Sequence, residues 1–113
     1  MNVDIRAHAS YVPYSAQKVR LLVDLVRGKR AVEAQNILQF APQAAATPLL
    51  KLIDSAVANA EQNFGANRND LVIYQIYANE APTRKWRKFG ARGRFKPWLR
   101  RSSHITVVLR ETE

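Results

Sequence analysis

Nine of the chain's 18 lysines and arginines fall between residues 84 and 101: Arg84, Lys85, Arg87, Lys88, Arg92, Arg94, Lys96, Arg100 and Arg101. No aspartate or glutamate interrupts them, and Trp86, Phe89, Phe95 and Trp98 are interleaved with them. Cationic side chains neutralise phosphates and displace condensed counterions, while aromatic rings and guanidinium planes stack on unpaired bases. Arg92 and Arg94 flank Gly93, a residue with no side chain to hold a nucleic-acid backbone away. The plain alternative is a solvated loop that only aids solubility; the two tryptophans and the absence of acids speak against it. A face for anionic lipid is a second alternative, weakened because the stretch lacks an amphipathic helical period. Nucleic acid is therefore the favoured partner. Helix-turn-helix, zinc-finger and basic-zipper patterns are missing, and a long aromatic-bearing segment suits a cleft in folded RNA better than a DNA groove.

Other candidate chemistry is sparse. The chain has no cysteine, which excludes disulfides, thiolate zinc sites and cysteine nucleophiles. His8 and His104 are far apart in sequence and lack metal-ligand spacing, and each falls in a strand-like stretch where a structural histidine is the commoner case. No glycine-rich phosphate loop, paired-carboxylate arrangement or nucleophile elbow is present. The acids Asp4, Asp24, Glu33, Asp54, Glu61 and Asp70 are scattered and read as solvated. The expectation is a binding protein with no catalytic activity, no metal and no cofactor.

The charge balance localises the binding segment further. The formal net charge is +9. Outside residues 84–101 the other nine bases face all nine acids, so the remainder is formally neutral. A segment that carries the whole net charge repels itself unless a polyanion or salt neutralises it. At 113 residues the chain suits a single domain, 1–113, with enough length to bury a core. No apolar run approaches the roughly 20 residues of a membrane span, and the opening MNVDIRAHAS lacks the layout of a secretory signal. A cytosolic or organellar location without membrane attachment is expected.

The elements that must position the basic segment can be read from periodicity. Residues 3–12 alternate, with Val3, Ile5, Ala7 and Ala9 facing one way and Asp4, Arg6 and His8 the other, as in a half-buried strand ended by Pro13. Ser15 suits a helix N-cap; Val19, Leu22, Val23 and Val26 form the apolar stripe that follows, and Gly28 ends it. Ala34, Ile37, Leu38 and Ala41 mark a shorter helix that stops before Pro42. A third helix carries Leu49, Leu52, Ile53, Ala56, Val57, Ala60 and Phe64, with Thr47 as N-cap, Pro48 at the first helical position and Gly65 as terminator. Whether residues 43–46 add a turn before Pro48 is open. Residues 67–70 are turn-like, and residues 71–78 and 104–109 are rich in β-branched and aromatic side chains. The expected class is α+β, three helices on one face of a small antiparallel three-stranded sheet.

Residues 79–101 then join two strands expected to pair. A structureless connection of 23 residues is rare in a compact domain. Gly90 and Gly93 sit near its middle, where a chain reversal needs them. A long projecting β-hairpin is the natural form, its arms reaching roughly 30 Å at about 3.3 Å per residue. An isolated two-stranded ribbon is marginal in water and must find a partner.

Several stretches resemble a known family. Ser15-Ala16-Gln17-Lys18-Val19-Arg20 followed by Arg27-Gly28-Lys29, then residues 55–61 (SAVANAE), then residues 101–107 (RSSHITV) together are similar to the large-ribosomal-subunit protein family twenty-two, end to end and in the same order. The resemblance implies a structural ribosomal protein of the cytoplasmic or an organellar ribosome. Such a protein binds large-subunit ribosomal RNA, touches neighbouring ribosomal proteins, aids subunit assembly and acts without forming homo-oligomers. It further implies that the hairpin arms, 80–88 and 94–101, thread through RNA, and that the tip at Phe89, Gly90, Ala91, Arg92 and Gly93 lines the nascent-peptide exit tunnel and meets the nascent polypeptide. RNA contacts carried over by resemblance are Lys18, Arg20, Arg27, Lys29 and Arg30 on the body, the basic residues of 84–101 together with Trp86 and Trp98 on the hairpin, and His104, which also orients the returning strand. Ser55 and Asn59, four apart on one helix, could pair locally or face RNA. At the tip Phe89-Gly90 stands where the family commonly carries Pro-Arg, so one charge is missing there.

Overall fold

A computed structural model describes residues 4–82, 84–89 and 95–112, with 84–89 and 95–100 described as backbone. Strand β1 (Ile5–Val12) leads into helices α1 (Ala16–Val26), α2 (Ala31–Gln39) and α3 (Ala46–Phe64). After a single 3-10 turn at Arg68–Asp70 come β2 (Leu71–Glu80), β3 (Arg84–Phe89), β4 (Phe95–Arg100) and β5 (Ser103–Glu111). Strands β1, β2 and β5 form one antiparallel sheet in the order β1-β5-β2, and β3 and β4 form a separate antiparallel ribbon. The α+β class and the pairing of the strands that flank the basic segment are as the periodicity predicts.

The helices cover one face of the sheet. Ile105, Val107 and Leu109 of β5 project into the core with Ile5 of β1 and Leu71, Ile73 and Ile76 of β2. They meet Val19, Leu22, Val23 and Val26 of α1, Ala34 and Leu38 of α2, and Leu49, Ile53, Ala56 and Val57 of α3. Each buried Leu, Ile or Val stabilises the fold by about 1.5–3 kcal/mol relative to exposure. Two bulges keep this face apolar where strict alternation fails. Between Ala9 and Val12 the register with β5 gains one residue, Tyr11 takes a positive φ of 54°, and Val12 returns to the core. Between Ile73 and Gln75 a second extra residue puts Tyr74 and Gln75 on the open face and Ile76 back inside.

Chain punctuation largely matches the sequence. The Ser15 hydroxyl accepts the Lys18 N–H at 3.4 Å, and Gly28 and Gly65 adopt positive φ just past α1 and α3, the conformation a glycine enters without a Cβ penalty. The start of α3 differs. It begins at Ala46 with Ala45 as N-cap, so Thr47 is no cap and Pro48 lies in the first turn. That is tolerable because first-turn amides have no helical acceptor for the proton that proline lacks. Residues 43–46 do form a turn, closed by Ala46 N–H to the Gln43 carbonyl at 3.1 Å, which buries Ala45 and Ala46 against the core.

Candidate nucleic-acid interface

The candidate interface follows the outer edge of β2. In the order β1-β5-β2 this strand has a neighbour on one side only, leaving a row of backbone groups that would otherwise invite another strand. The segment after α1 closes its first part: Ile73 N–H bonds the Lys29 carbonyl at 2.9 Å, and Arg30 bridges Val72. Helix α1 closes the rest with two arginines. Arg27 Nη2 donates to the Ile76 carbonyl at 3.2 Å and Arg20 Nε to the Ala78 carbonyl at 3.0 Å. Arg20 in α1 and Arg27 at its C-cap are seven apart, two helical turns, and so reach β2 from the same side of the helix.

Beyond Ala78 the edge reaches a cleft of about 220 Å³ between the N-terminus of α1 and the root of the ribbon, lined by Ser15, Ala16, Gln17, Glu80, Ala81, Arg101 and Ser102. Ala81 N–H donates to the Ser102 carbonyl at 3.1 Å, so the β2–β5 ladder continues toward β3 and β4. Arg30, Lys29, Arg27, Arg20 and Arg101 therefore follow one another along a single edge, from the first residues of β2 to the ribbon. All five are exposed. Lys18 is exposed on α1, near its N-terminus.

In the ribbon the register sets Arg84 opposite Arg100, Trp86 opposite Trp98, Lys88 opposite Lys96 and Phe89 opposite Phe95, with Lys85 facing Leu99 and Arg87 facing Pro97. Like charges directly opposite one another weaken a strand pair. The acids that could compensate are elsewhere: Asp24 pairs with Arg27 at 2.8 Å, Glu61 with Arg68 at 2.9 Å, and Asp4 with Arg110. Asp54 accepts from Gln35 at 2.7 Å. Several carboxylates that the sequence left as solvated thus have partners on the body. The predicted tip residues Gly90, Ala91, Arg92 and Gly93, and Arg94 after them, lie outside the described residues.

One predicted contact, His104, stands apart from this edge. His104 lies on the open face of the sheet, where its Nδ1 accepts the Tyr11 N–H at 3.1 Å and its ring meets Tyr11 edge-on at 4.7 Å. It supports the β1 bulge, in keeping with a strand-orienting role. His8, distant in sequence, comes within 5.8 Å of it, ring to ring. On α3 the local pair is Asn59 with Asn63 rather than Ser55 with Asn59. Sequence reasoning missed that Arg20 and Arg27 hold the edge of β2; their seven-residue spacing was visible, but the strand they would meet was not.

The fold and this edge define a class: a small basic α+β protein that presents a charge-dense β-ribbon and, among the described residues, groups no three side chains able to hold a metal ion. The sequence profile of the family described as Ribosomal protein L22p/L17e matches residues 7–110. A protein of Clostridium novyi (strain NT) named large ribosomal subunit protein uL22 is 49% identical over 109 residues, covering 96% of this chain and 98% of its own length. Proteins of the same name from Dehalococcoides mccartyi (strain CBDB1) and Pediococcus pentosaceus are 51% and 47% identical, covering 95% and 96% of this chain and 98% and 92% of their own. The chain belongs to the ribosomal protein L22p/L17e family, whose members are structural rather than catalytic.

Proposed function

We propose that this protein is a structural constituent of the large ribosomal subunit that binds large-subunit ribosomal RNA through the ribbon and the β2 edge and aids assembly of the subunit. The observation that carries this is the ribbon's register. Arg84 opposite Arg100 and Lys88 opposite Lys96, with no acid between residues 84 and 101, make a strand pair that needs an external polyanion. Family membership supplies the polyanion's identity.

Within this reading Arg84, Lys85, Arg87, Lys88, Arg92, Arg94, Lys96, Arg100 and Arg101 neutralise phosphates, and Trp86 and Trp98 stack on unpaired bases. Lys18, Arg20, Arg27, Lys29 and Arg30 extend the phosphate track along β2. The ribbon, 79–101, projects from the body and its tip, Phe89 to Gly93, reaches the exit tunnel and the nascent polypeptide. The chain works as one copy among neighbouring ribosomal proteins. The molecule's extents of 65 × 25 × 19 Å support a projecting element, since a compact chain of this length has a radius of gyration of about 13 Å against 17.1 Å here.

Sedimentation of a tagged copy from native lysate after a high-salt wash tests the proposal. Retention with the large subunit is expected. Release to the top of the gradient would make the protein a peripheral binder and overturn the constituent role.

A further inference from the structure

The β2 edge and the ribbon leave one broad surface unexplained: the sheet face turned away from the helices. Across its middle the register aligns His8 of β1, Thr106 of β5 and Tyr77 of β2 side by side. Adjacent strands lie about 4.8 Å apart, so the outer two rings are spaced by roughly 10 Å. His104 lies one step along β5, with its ring 5.8 Å from that of His8. These rings are held rather than loose. His8 Nδ1 is 2.9 Å from Thr106 Oγ1, and His104 Nδ1 takes the Tyr11 N–H at 3.1 Å. Tyr77 is 40% exposed although it sits on a strand next to the central one.

The chemistry of this face is that of flat rings with hydrogen-bonding rims, and large exposed aliphatic side chains are not part of it: Leu21 and Leu25 are on α1. Arg6 of β1, exposed and two residues from His8, adds a cation to the same face. Asp24, Glu33, Asp54 and Glu61 are on the helices, and the carboxylate on the open face, Asp4, is bonded to Arg110. A protein partner would favour an apolar centre; unstacked bases favour aromatic platforms with cations nearby. Continuity adds to this, because β2 and β5, which carry Tyr77, Thr106 and His104, are the strands that lead through Ala81 and Ser102 into the ribbon.

We propose that the open sheet face is a second RNA surface, which takes an unpaired stretch of RNA by stacking its bases on Tyr77 and on the His8–His104 pair. It rests on the RNA-binding reading above but acts by stacking, where the β2 edge acts by charge and the ribbon by charge together with its tryptophans. The test uses the full chain and protein-free large-subunit ribosomal RNA, comparing wild type with Tyr77→Ala, Tyr77→Phe and an Arg84→Ala/Lys85→Ala ribbon variant. Tyr77→Ala should weaken binding roughly 5- to 150-fold with an unchanged slope of log affinity against log salt, and Tyr77→Phe should bind as wild type. The ribbon variant should instead lower that slope by about 0.7–0.9 for each charge lost. In the wild-type chain, which needs no variant to fold, the RNA should protect Tyr77 from nitration by tetranitromethane.

Wild-type affinity in Tyr77→Ala and equal nitration with and without RNA, alongside a weakened ribbon variant, would overturn the second surface while leaving the RNA reading intact. Unchanged binding in the ribbon variant as well would overturn both. Protection of Tyr77 in assembled subunits but not by protein-free RNA would assign the face to a protein partner and overturn the proposal.

Discussion

Arg20 and Arg27 each give one guanidinium arm to a carbonyl of β2 and remain exposed. A guanidinium carries five N–H donors in a rigid fork, so satisfying a carbonyl leaves donors to spare and also fixes where they point. The same side chains can therefore protect a strand edge and present phosphate ligands. That dual use was not legible in the sequence: the helical spacing of the arginines was plain, but their acceptors depend on which strand lies at the edge. Arg110 was missed for the same reason. Its guanidinium lies 3.3 Å from the centre of the Tyr74 ring and bonds Asp4 from the far end of the chain. The hydrogen bond from Arg110 holds the Asp4 carboxyl below its usual 3.8, and Asp4 raises Arg110 in return. A carboxylate with a lowered folded-state pKa contributes stability above its unfolded value and loses it as pH falls through the folded one. The stability gap between wild type and Asp4→Asn should therefore be present at neutral pH, narrow as pH drops below about 3.8, and shrink with added salt because the pair is exposed. Urea denaturation at a series of pH values measures it; a gap that is constant across pH would rule out the ion pair as its source.

At the scale of elements, the stops were more legible than the starts. A residue with positive φ just past a helix is chemically specific, and Gly28 (φ 78°) and Gly65 (φ 63°) announce themselves by type. Neither site crowds an added Cβ, so Gly28→Ala and Gly65→Ala should each cost about 1 kcal/mol through backbone conformation alone. The two costs should add in a thermal or chemical denaturation series, because the caps belong to different helices. A negligible loss at either site would mean that the chain end relaxes out of the left-handed region. Helix starts follow weaker rules. Thr47-Pro48 satisfies the capping pattern, yet α3 begins earlier because burial of Ala45 and Ala46 outweighs a side-chain cap. The bulges were legible only in part: Ile73 and Ile76, three apart in a strand that otherwise alternates, mark the slip, but its location at Tyr74 needs the partner strand.

For the whole molecule, the partition between a neutral body and a charged ribbon was legible from composition, since charge is additive and needs no geometry. The order of strands was not, because alternation reports which face is buried and says nothing of which strands are neighbours. Joining Ala81 to Ser102, already hydrogen-bonded to each other, through a short glycine-containing turn in place of the residues between them should leave a body that unfolds cooperatively. RNA affinity should fall, and its salt slope should drop by about 0.7–0.9 for each phosphate contact removed. Circular dichroism and salt-titrated binding would read the two effects; loss of cooperative unfolding would show that the ribbon is part of the body's fold.

The strand order also fixes a sequence of events in time. β5 is the central strand, bonded to β1 on one side and β2 on the other, and it is the last of the described strands to leave the translating ribosome. Until residues 103–111 are made, β1 and β2 have no ladder to join, whereas the three helices can already meet one another through local contacts. The cationic residues of 84–100 are therefore made before the central strand that completes the sheet carrying them, so closure of the body waits on the residues that follow the ribbon.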